Sequence, residues 1–284
     1  MRIATWNIRA AIGPGEPFPP AWWRHVRRDR LEQIAMVIAA LDADIVALQE
    51  VTVMSPDGDL LDQPLELARL TGREVRYAAA HAFTLVRPED GVTIGSATWG
   101  NAVLTRRPIQ SGFAIGLPAG ADDDLVEPAG SGLSLGGVTF FDAPYGTREP
   151  RCAVGGIVTA PSGGPVAIVN AHLTYAGTAQ RQAQAVALAV LARSLGTRVV
   201  VLGDFNAAIE APCLEPLANG LDDAFKTVGV PPGDPQRASS GEARIDHILS
   251  RGLRTLDCRV AVEAGTASDH LPVVATFTTD DPRS

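Results

Sequence analysis

Cysteine is scarce in this chain, with three in 284 residues, Cys152, Cys213 and Cys258. They are odd in number, far apart and without a zinc-type pair spacing, so neither a disulfide framework nor a cysteine-bound zinc is indicated. They read as reduced thiols in or near the core. No apolar run approaches membrane-spanning length without a charge or a breaker. The opening MRIATWNIRA has one early arginine but no long apolar stretch or cleavage site, and is not read as a signal peptide. Basic residues are outnumbered, 24 Lys and Arg against 32 Asp and Glu, for a net charge of −8. The densest basic stretch is short: Arg24, Arg27, Arg28 and Arg30. Proteins that track a polyanion carry a basic face, so the balance counts against nucleic acid, although a local basic groove stays compatible with it. Repeats and low-complexity tracts are absent. The expectation is a soluble, cytoplasmic protein with no evident protein partner.

What is present is ordinary globular material, 46% hydrophobic and 20% charged, enough for a large core. Short apolar runs predict strands over Ile3–Ile8, Asp44–Val53 with Glu50 at its exit, Gly100–Leu104, Ala153–Thr159, Val166–Asn170, Arg198–Leu202, Ile245–Leu249, Cys258–Val262 and Leu271–Phe277. Helical spacing predicts helices over Arg24–Leu41, Leu60–Thr71 and Ala179–Leu195, the last ended by Gly196. The stretch from residue 112 to 147 is rich in Gly, Asp, Ala and Pro and reads as site-forming loops around one or two short strands. No domain boundary is placed there, because the motifs on either side need one another. The expected organisation is a single domain over 1–284, frayed from residue 278, with mixed sheets covered by helices.

Polar residues recur where the apolar strands end. Asn7 follows IATW, Glu50 follows IVALQ, His172 follows VAIVNA, Asp204 and Asn206 follow VVVLG, Asp246 lies in RIDHIL, and Asp269 and His270 precede LPVVATF. Buried strands position their end residues rigidly, so such ends can converge on one pocket. Carboxylates at Glu50, Asp204 and Asp269, with amide oxygens at Asn7 and Asn206, suit a hard cation such as Mg²⁺. His172 and His270 can donate to phosphate oxygens or move protons near neutral pH. Adjacent strand side chains point to opposite faces, so the acid orienting His270 is Asp246 sooner than its neighbour Asp269. Each residue alone has a bland explanation, since an Asp or Asn after a strand is usually a turn former. His247 reads as packing or surface, His25 and His81 as structural, and Trp6, Trp22 and Trp23 as packing more than a stacking platform. Joint occurrence in one order is what outweighs those readings.

That order, WNIR, LQEV, GNAVLTRRPI, REPR, NAHL, GDFNA, RIDHI and SDHLPV, resembles the endonuclease/exonuclease/phosphatase superfamily over roughly Met1 to Phe277. The resemblance implies an α/β fold, a four-layer sandwich of two packed mixed sheets flanked by helices, and Mg²⁺-dependent hydrolysis of phosphodiesters or phosphomonoesters, with Mn²⁺ as a substitute. It implies Glu50 as the main metal ligand, Asn7 beside metal and phosphate, and Asp269 as a second acid near the metal. Asp204 and Asn206 would orient the attacking water and stabilise the transition state, and Asp246 would pair with the catalytic His270. Whether Asp204 or His270 is the general base stays open. His172 resembles the deoxyribonuclease I, sphingomyelinase and inositol-phosphate phosphatase branches. Arg148, in Arg148-Glu149-Pro150, looks like a phosphate-contacting arginine, with a solvated loop arginine as the alternative, and Asn101 matches a position that often faces the site. Arg9 is a departure, standing where some repair enzymes carry a second acid near the metal.

The expected reaction is attack of water on phosphorus. Charge tips the substrate towards a small or lipid-like phosphoester, since the acidic Asp122-Asp123-Asp124 falls in the loop region and would repel a polyanion. A nuclease is the competing reading, and a binding protein that kept the fold without catalysis is a third.

Overall fold

The computed structural model describes residues 1–15, 21–118, 133–135, 138–140, 150–175 and 177–278. In chain order the elements are β1 (Arg2–Asn7), α1 (Arg28–Ala40), β2 (Ile45–Met54), β3 (Leu61–Asp62), α2 (Gln63–Thr71), β4 (Glu74–Val86), β5 (Thr93–Thr105), β6 (Ile109–Leu117), β7 (Leu133–Leu135), β8 (Val138–Phe140), β9 (Arg151–Thr159), β10 (Pro165–His172), α3 (Thr178–Ser194), β11 (Val199–Asp204), α4 (Glu215–Ala218), β12 (Asp222–Asp223), α5 (Ala224–Thr227), β13 (Asp246–Arg251), β14 (Arg254–Val260) and β15 (Val273–Thr278). They build two mixed sheets and a separate antiparallel pair, β7 with β8. The first runs β14-β15-β1-β2-β5-β4, with β3 on β2; the second runs β12-β13-β11-β10-β9-β6. Parallel pairs occur at β1/β2 and β10/β11, and α1 and α3 are the crossovers that such pairs require.

Pleating sorts the side chains into layers. In β1, Ile3 packs between the sheets while Ala4 and Trp6 pack under α1; in β11, Val200 and Leu202 face the first sheet while Val199 and Val201 face α3. The result is helix, sheet, sheet, helix. Strands covered on both faces have no polar side to show, which is why β2, β10 and β11 stand out in sequence as apolar runs. Polar bonds also cross the central layer: Gln49 Nε2 donates to Asn170 Oδ1 at 2.7 Å, and Asn170 Nδ2 donates to the carbonyls of Leu48 and Ala102 at 2.9 and 2.8 Å. All three cysteines are free and buried, and burial pushes the Cys152 thiol up to about 12.

Four local readings of the sequence change. The first helix starts at Arg28, after a separate turn at Trp22–His25, because Val26 and Arg27 are extended. Glu50 is not at the exit of its strand; β2 continues to Met54, and the pairing with β5 slips between Leu48 and Val51, a bulge at which Glu50 has φ +55°. A regular pleat would send Glu50 to the helix-covered side with Leu48; the bulge re-aims it. β4 is a full strand that no apolar run announces, and β6 begins before the loop region. Asp122-Asp123-Asp124 and the tail beyond Thr278 lie outside the described residues, as does Arg148. Among the described residues no helix is long and apolar enough to cross a membrane.

Candidate active site

The strand ends converge at one rim of the sandwich, where both sheets contribute. In the second sheet, His172, Asp204 and Asp246 are register partners across β10, β11 and β13 and form a row. In the first sheet, Asn7 ends β1 and Glu50 rises from the bulge of β2. The segment from Ser268 to His270 is pinned across the end of β1: Ser268 Oγ donates to the Asn7 carbonyl at 2.8 Å, and Trp6 Nε1 to the His270 carbonyl at 2.8 Å.

Asn7 ties the two sheets together at this rim. Its Nδ2 donates to Glu50 Oε1 and to Asp204 Oδ2, each at 3.0 Å, and its Oδ1 accepts from the Arg9 amide at 3.0 Å. Asn7 therefore faces the carboxylates as a donor, and its amide oxygen is turned to Arg9 instead of being offered to a cation. Burial raises the proton affinity of Glu50, against the opposing bond from Asn7. Burial, and then the charge of Asp246, carries Asp204 up to about 7.

His270 Nδ1 lies 2.8 Å from Asp246 Oδ2, while its Nε2 faces Asp204 Oδ2 at 3.9 Å. Burial alone would lower the proton affinity of this imidazole, but Asp246, with Asp204 and Asp269 behind it, outweighs burial and lifts it to about 10. Asp246 Oδ1 is buried with no hydrogen-bond partner, so this carboxylate leans on His270. His172 behaves oppositely: burial, then Arg151 and His270, hold it well below its ordinary value. Its ring is neutral, and Asn206 Nδ2 can only donate, so the 3.0 Å contact between them makes His172 Nε2 the acceptor and leaves the ring proton on Nδ1. Asn206 also donates to the Leu173 carbonyl at 2.9 Å. Both of its amide protons are thus engaged within the protein, and Asn206 serves first to hold His172.

A pocket of about 550 Å³ opens onto these groups. Its lining includes Glu50, His172, Asp204, Asn206, Asp269 and His270, together with Arg9 and Arg151. Asp269 is paired with Arg9, at 3.4 Å from Oδ2 to Nε. Asn101 is not brought to the lining. It is buried, and its Nδ2 donates to the Cys152 carbonyl at 2.9 Å, so this amide is committed between the sheets and not to a phosphate. His247 is buried and bonded to the Ala207 carbonyl at 2.8 Å. Sequence reading passed over Arg151, Phe83, Trp99 and Tyr175 and took His81 as structural and Trp22 as packing, yet all of them line the pocket; only the pairing of β4 with β5, invisible in the sequence, could have pointed to His81 and Trp99. Among the described residues, one trio of metal-ligating side chains has all its ligand atoms within 4.8 Å of one another: Asp204, Asp246 and His270.

Residues 4–270 match the model of the endonuclease/exonuclease/phosphatase family. Solved structures agree on the fold. A protein of that family from Beutenbergia cavernae superposes with a TM-score of 0.70 at 24% identity, over 97% of this chain and 70% of the other. A mannosyl-6-phosphatase from Bacteroides thetaiotaomicron gives 0.63 at 18% identity, over 98% and 99%. The catalytic domain of human Nocturnin, with a bound sulfate, gives 0.61 at 19%, over 98% and 94%. At these identities the likeness is one of fold. No curated protein is significantly similar in sequence.

Proposed function

The chain belongs to the endonuclease/exonuclease/phosphatase family, whose members hydrolyse phosphoester bonds, and from that premise we propose that it is a Mg²⁺-dependent phosphoesterase acting on a small or lipid-like substrate. The observation that carries this reading is the convergence on Asp204: an amide and a glutamate from one sheet, two imidazoles of opposite protonation and a buried aspartate around a single carboxylate. Such a set suits hydrolysis at a charged centre, with a group to take a proton and groups to stabilise developing charge.

The donor set fits a hard divalent cation. Glu50 is an incompletely compensated carboxylate at the pocket floor, with an amide as its side-chain partner, and oxygen is the ligand Mg²⁺ prefers. Glu50 would hold the ion, with Asp269 able to join it by leaving Arg9; Asn7 keeps Glu50 in place. The trio of Asp204, Asp246 and His270 fits less well, because its His270 Nδ1 is already engaged by Asp246 at 2.8 Å. The cation would supply charge neutralisation at the phosphoryl oxygens.

The chain's own groups divide the proton work. His270, protonated against Asp246, is unable to accept a proton from water, so Asp204 takes it. Asp204 is oriented for that task by Asn7 on one oxygen and by the backbone amide of Asn206 at 2.9 Å on the other. His270 Nε2 then faces the developing negative charge and can protonate the departing oxygen. Arg151 sets a positive charge in the pocket wall, a part that Arg148, outside the described residues, was also expected to play.

Substrate size follows from charge. Three of the four arginines of the densest basic stretch are paired, Arg24 with Glu89, Arg27 with Asp29 and Arg28 with Glu66, while Arg30 donates to the Thr266 carbonyl; a polyanion tracker needs several uncommitted cations. A Mg²⁺ assay at low salt, with duplex DNA, RNA and small or lipid phosphoesters side by side, tests the reading. Turnover of small esters above nucleic acid supports it; efficient cleavage of duplex DNA with weak turnover of small esters makes the protein a nuclease, and no turnover of any phosphoester, with Mg²⁺ bound, refutes catalysis.

A further inference from the structure

The catalytic row occupies one side of the pocket; rings occupy the other. His81 and Phe83 are two positions apart on β4 and share a face of it. Their rings lie 5.7 Å apart between centroids, with planes only 8° from parallel. Behind them, Trp22 meets Phe83 at 5.8 Å and Trp99 at 4.9 Å, both edge-on, and Trp99 is the register partner of His81 on β5. From the other sheet Tyr175, just past His172, adds a ring that is 71% exposed. Aromatic residues make up only 5% of the chain, yet four of them line this one pocket.

Packing accounts for Trp22 and Trp99, which are buried. It accounts only in part for Phe83, which packs against the same core from a half-buried position, and not for the half-buried His81 or the exposed Tyr175; all three line the pocket. Trp22, itself met edge-on by Trp99, buttresses Phe83 edge-on, an arrangement that holds the plane of the ring. We propose that these rings form the subsite for the group esterified to phosphorus, and that this group is a planar ring: the substrate is a nucleoside or aryl phosphoester. The inference rests on the phosphoesterase reading above and narrows its substrate. Two near-parallel rings in offset contact are the beginning of a stack, and a third flat ring continues it; a puckered sugar or an alkyl chain matches apolar area but not the shared plane. Base–aromatic stacking tolerates any base, since each has a π-face, so the wall selects planarity without reading identity. His81 is held to about 4 by burial and then by Arg151, so it meets such a ring as a neutral imidazole. A cavity of about 550 Å³ lies within the range of small-molecule sites.

The test uses the full-length protein with Mg²⁺ and phosphoesters that differ only in the esterified alcohol: nucleoside, phenyl, ribosyl or hexyl. The expected order places nucleoside and phenyl esters first in kcat/KM. Tyr175→Ala and Phe83→Leu should each lower the phenyl-to-hexyl specificity ratio by about tenfold, as expected for one lost stacking partner, and through KM more than kcat. Tyr175 is exposed, so its variant is expected to fold if Phe83→Leu does not. A nucleoside ester well above phenyl identifies a nucleobase; phenyl at parity identifies a simple aryl group. Ribosyl equal to nucleoside, hexyl above phenyl, or a ratio unmoved by Tyr175→Ala overturns the subsite while leaving phosphoester hydrolysis standing. Calorimetric titration with a nucleoside monophosphate in EDTA separates the two claims, because ring binding without turnover of any ester would sink the phosphoesterase reading and keep the subsite.

Discussion

Asp246→Asn keeps the shape of a side chain that is almost wholly buried and removes only its charge. In the native site His270 draws its proton affinity from this carboxylate across 2.8 Å, and burial alone would work against it. With asparagine there, the imidazolium that faces the developing charge loses its counter-ion in a dry environment. Breaking a buried ion pair costs about 3–5 kcal/mol, and if that deficit falls on the transition state, kcat drops by about 10²- to 10⁴-fold. KM should move little, since neither group is needed to hold the ground-state ester. Steady-state kinetics with circular dichroism to confirm the fold makes the measurement. A second arm uses His270→Ala, which strands the Asp246 carboxylate with both oxygens unpartnered, Oδ1 having none already. The double variant should then be no slower than His270→Ala and more stable to urea, because an unpaired buried charge has been removed. A kcat within threefold of wild type for Asp246→Asn, or losses that simply add in the double variant, would show that Asp246 and His270 do not act as a unit.

Glu50→Gln should raise the Mg²⁺ concentration needed for half-maximal turnover at least about tenfold, and EDTA should abolish wild-type activity; chelator-resistant turnover refutes the metal reading. Asn170→Ala removes three buried hydrogen bonds between the sheets; at about 1 kcal/mol each, the urea unfolding free energy should fall by about 3 kcal/mol, and a change below about 1 kcal/mol would deny the bridge its role. For His81 the folded value of about 4 lies below the unfolded value of about 6.5, so between those pH values the unfolded chain takes up a proton that the folded chain refuses. Stability from this group is complete above about pH 6.5 and falls as pH drops towards 4; the difference in urea midpoint between wild type and His81→Phe should shift in favour of the variant across that window, and a pH-independent difference would contradict it.

The row of His172, Asp204 and Asp246 could be read from the sequence because β10 and β11 are apolar on both faces and stop at His172 and Asp204, while β13 begins at Asp246. The pairing of His270 with Asp246 followed from an argument about strand faces, although residues 269 and 270 precede β15 and are held by Ser268 and Trp6 instead of by a pleat. The aim of Glu50 was hidden, since a left-handed backbone at a glutamate has no sequence signal of the kind glycine gives. β4 was hidden because its alanines and alternating polar residues make no apolar run, and with it went the meeting of His81 and Trp99, which depends on the β4/β5 register. The engagement of Asn101 with Cys152 and of Asn206 with His172 and Leu173 is a matter of side-chain direction, which spacing does not encode.

The pairing of β1 with β15 bears on how the molecule is made. Asn7 and Glu50 leave the ribosome well before the strand that pairs with β1, β15, and the imidazole that precedes it. Until then one edge of β1 is an open row of amides and carbonyls, the kind of edge that recruits chaperones or other unfinished chains. During that interval Asn7 and Glu50 stand without His270, and the pocket they share with it is assembled only when β15 pairs with β1.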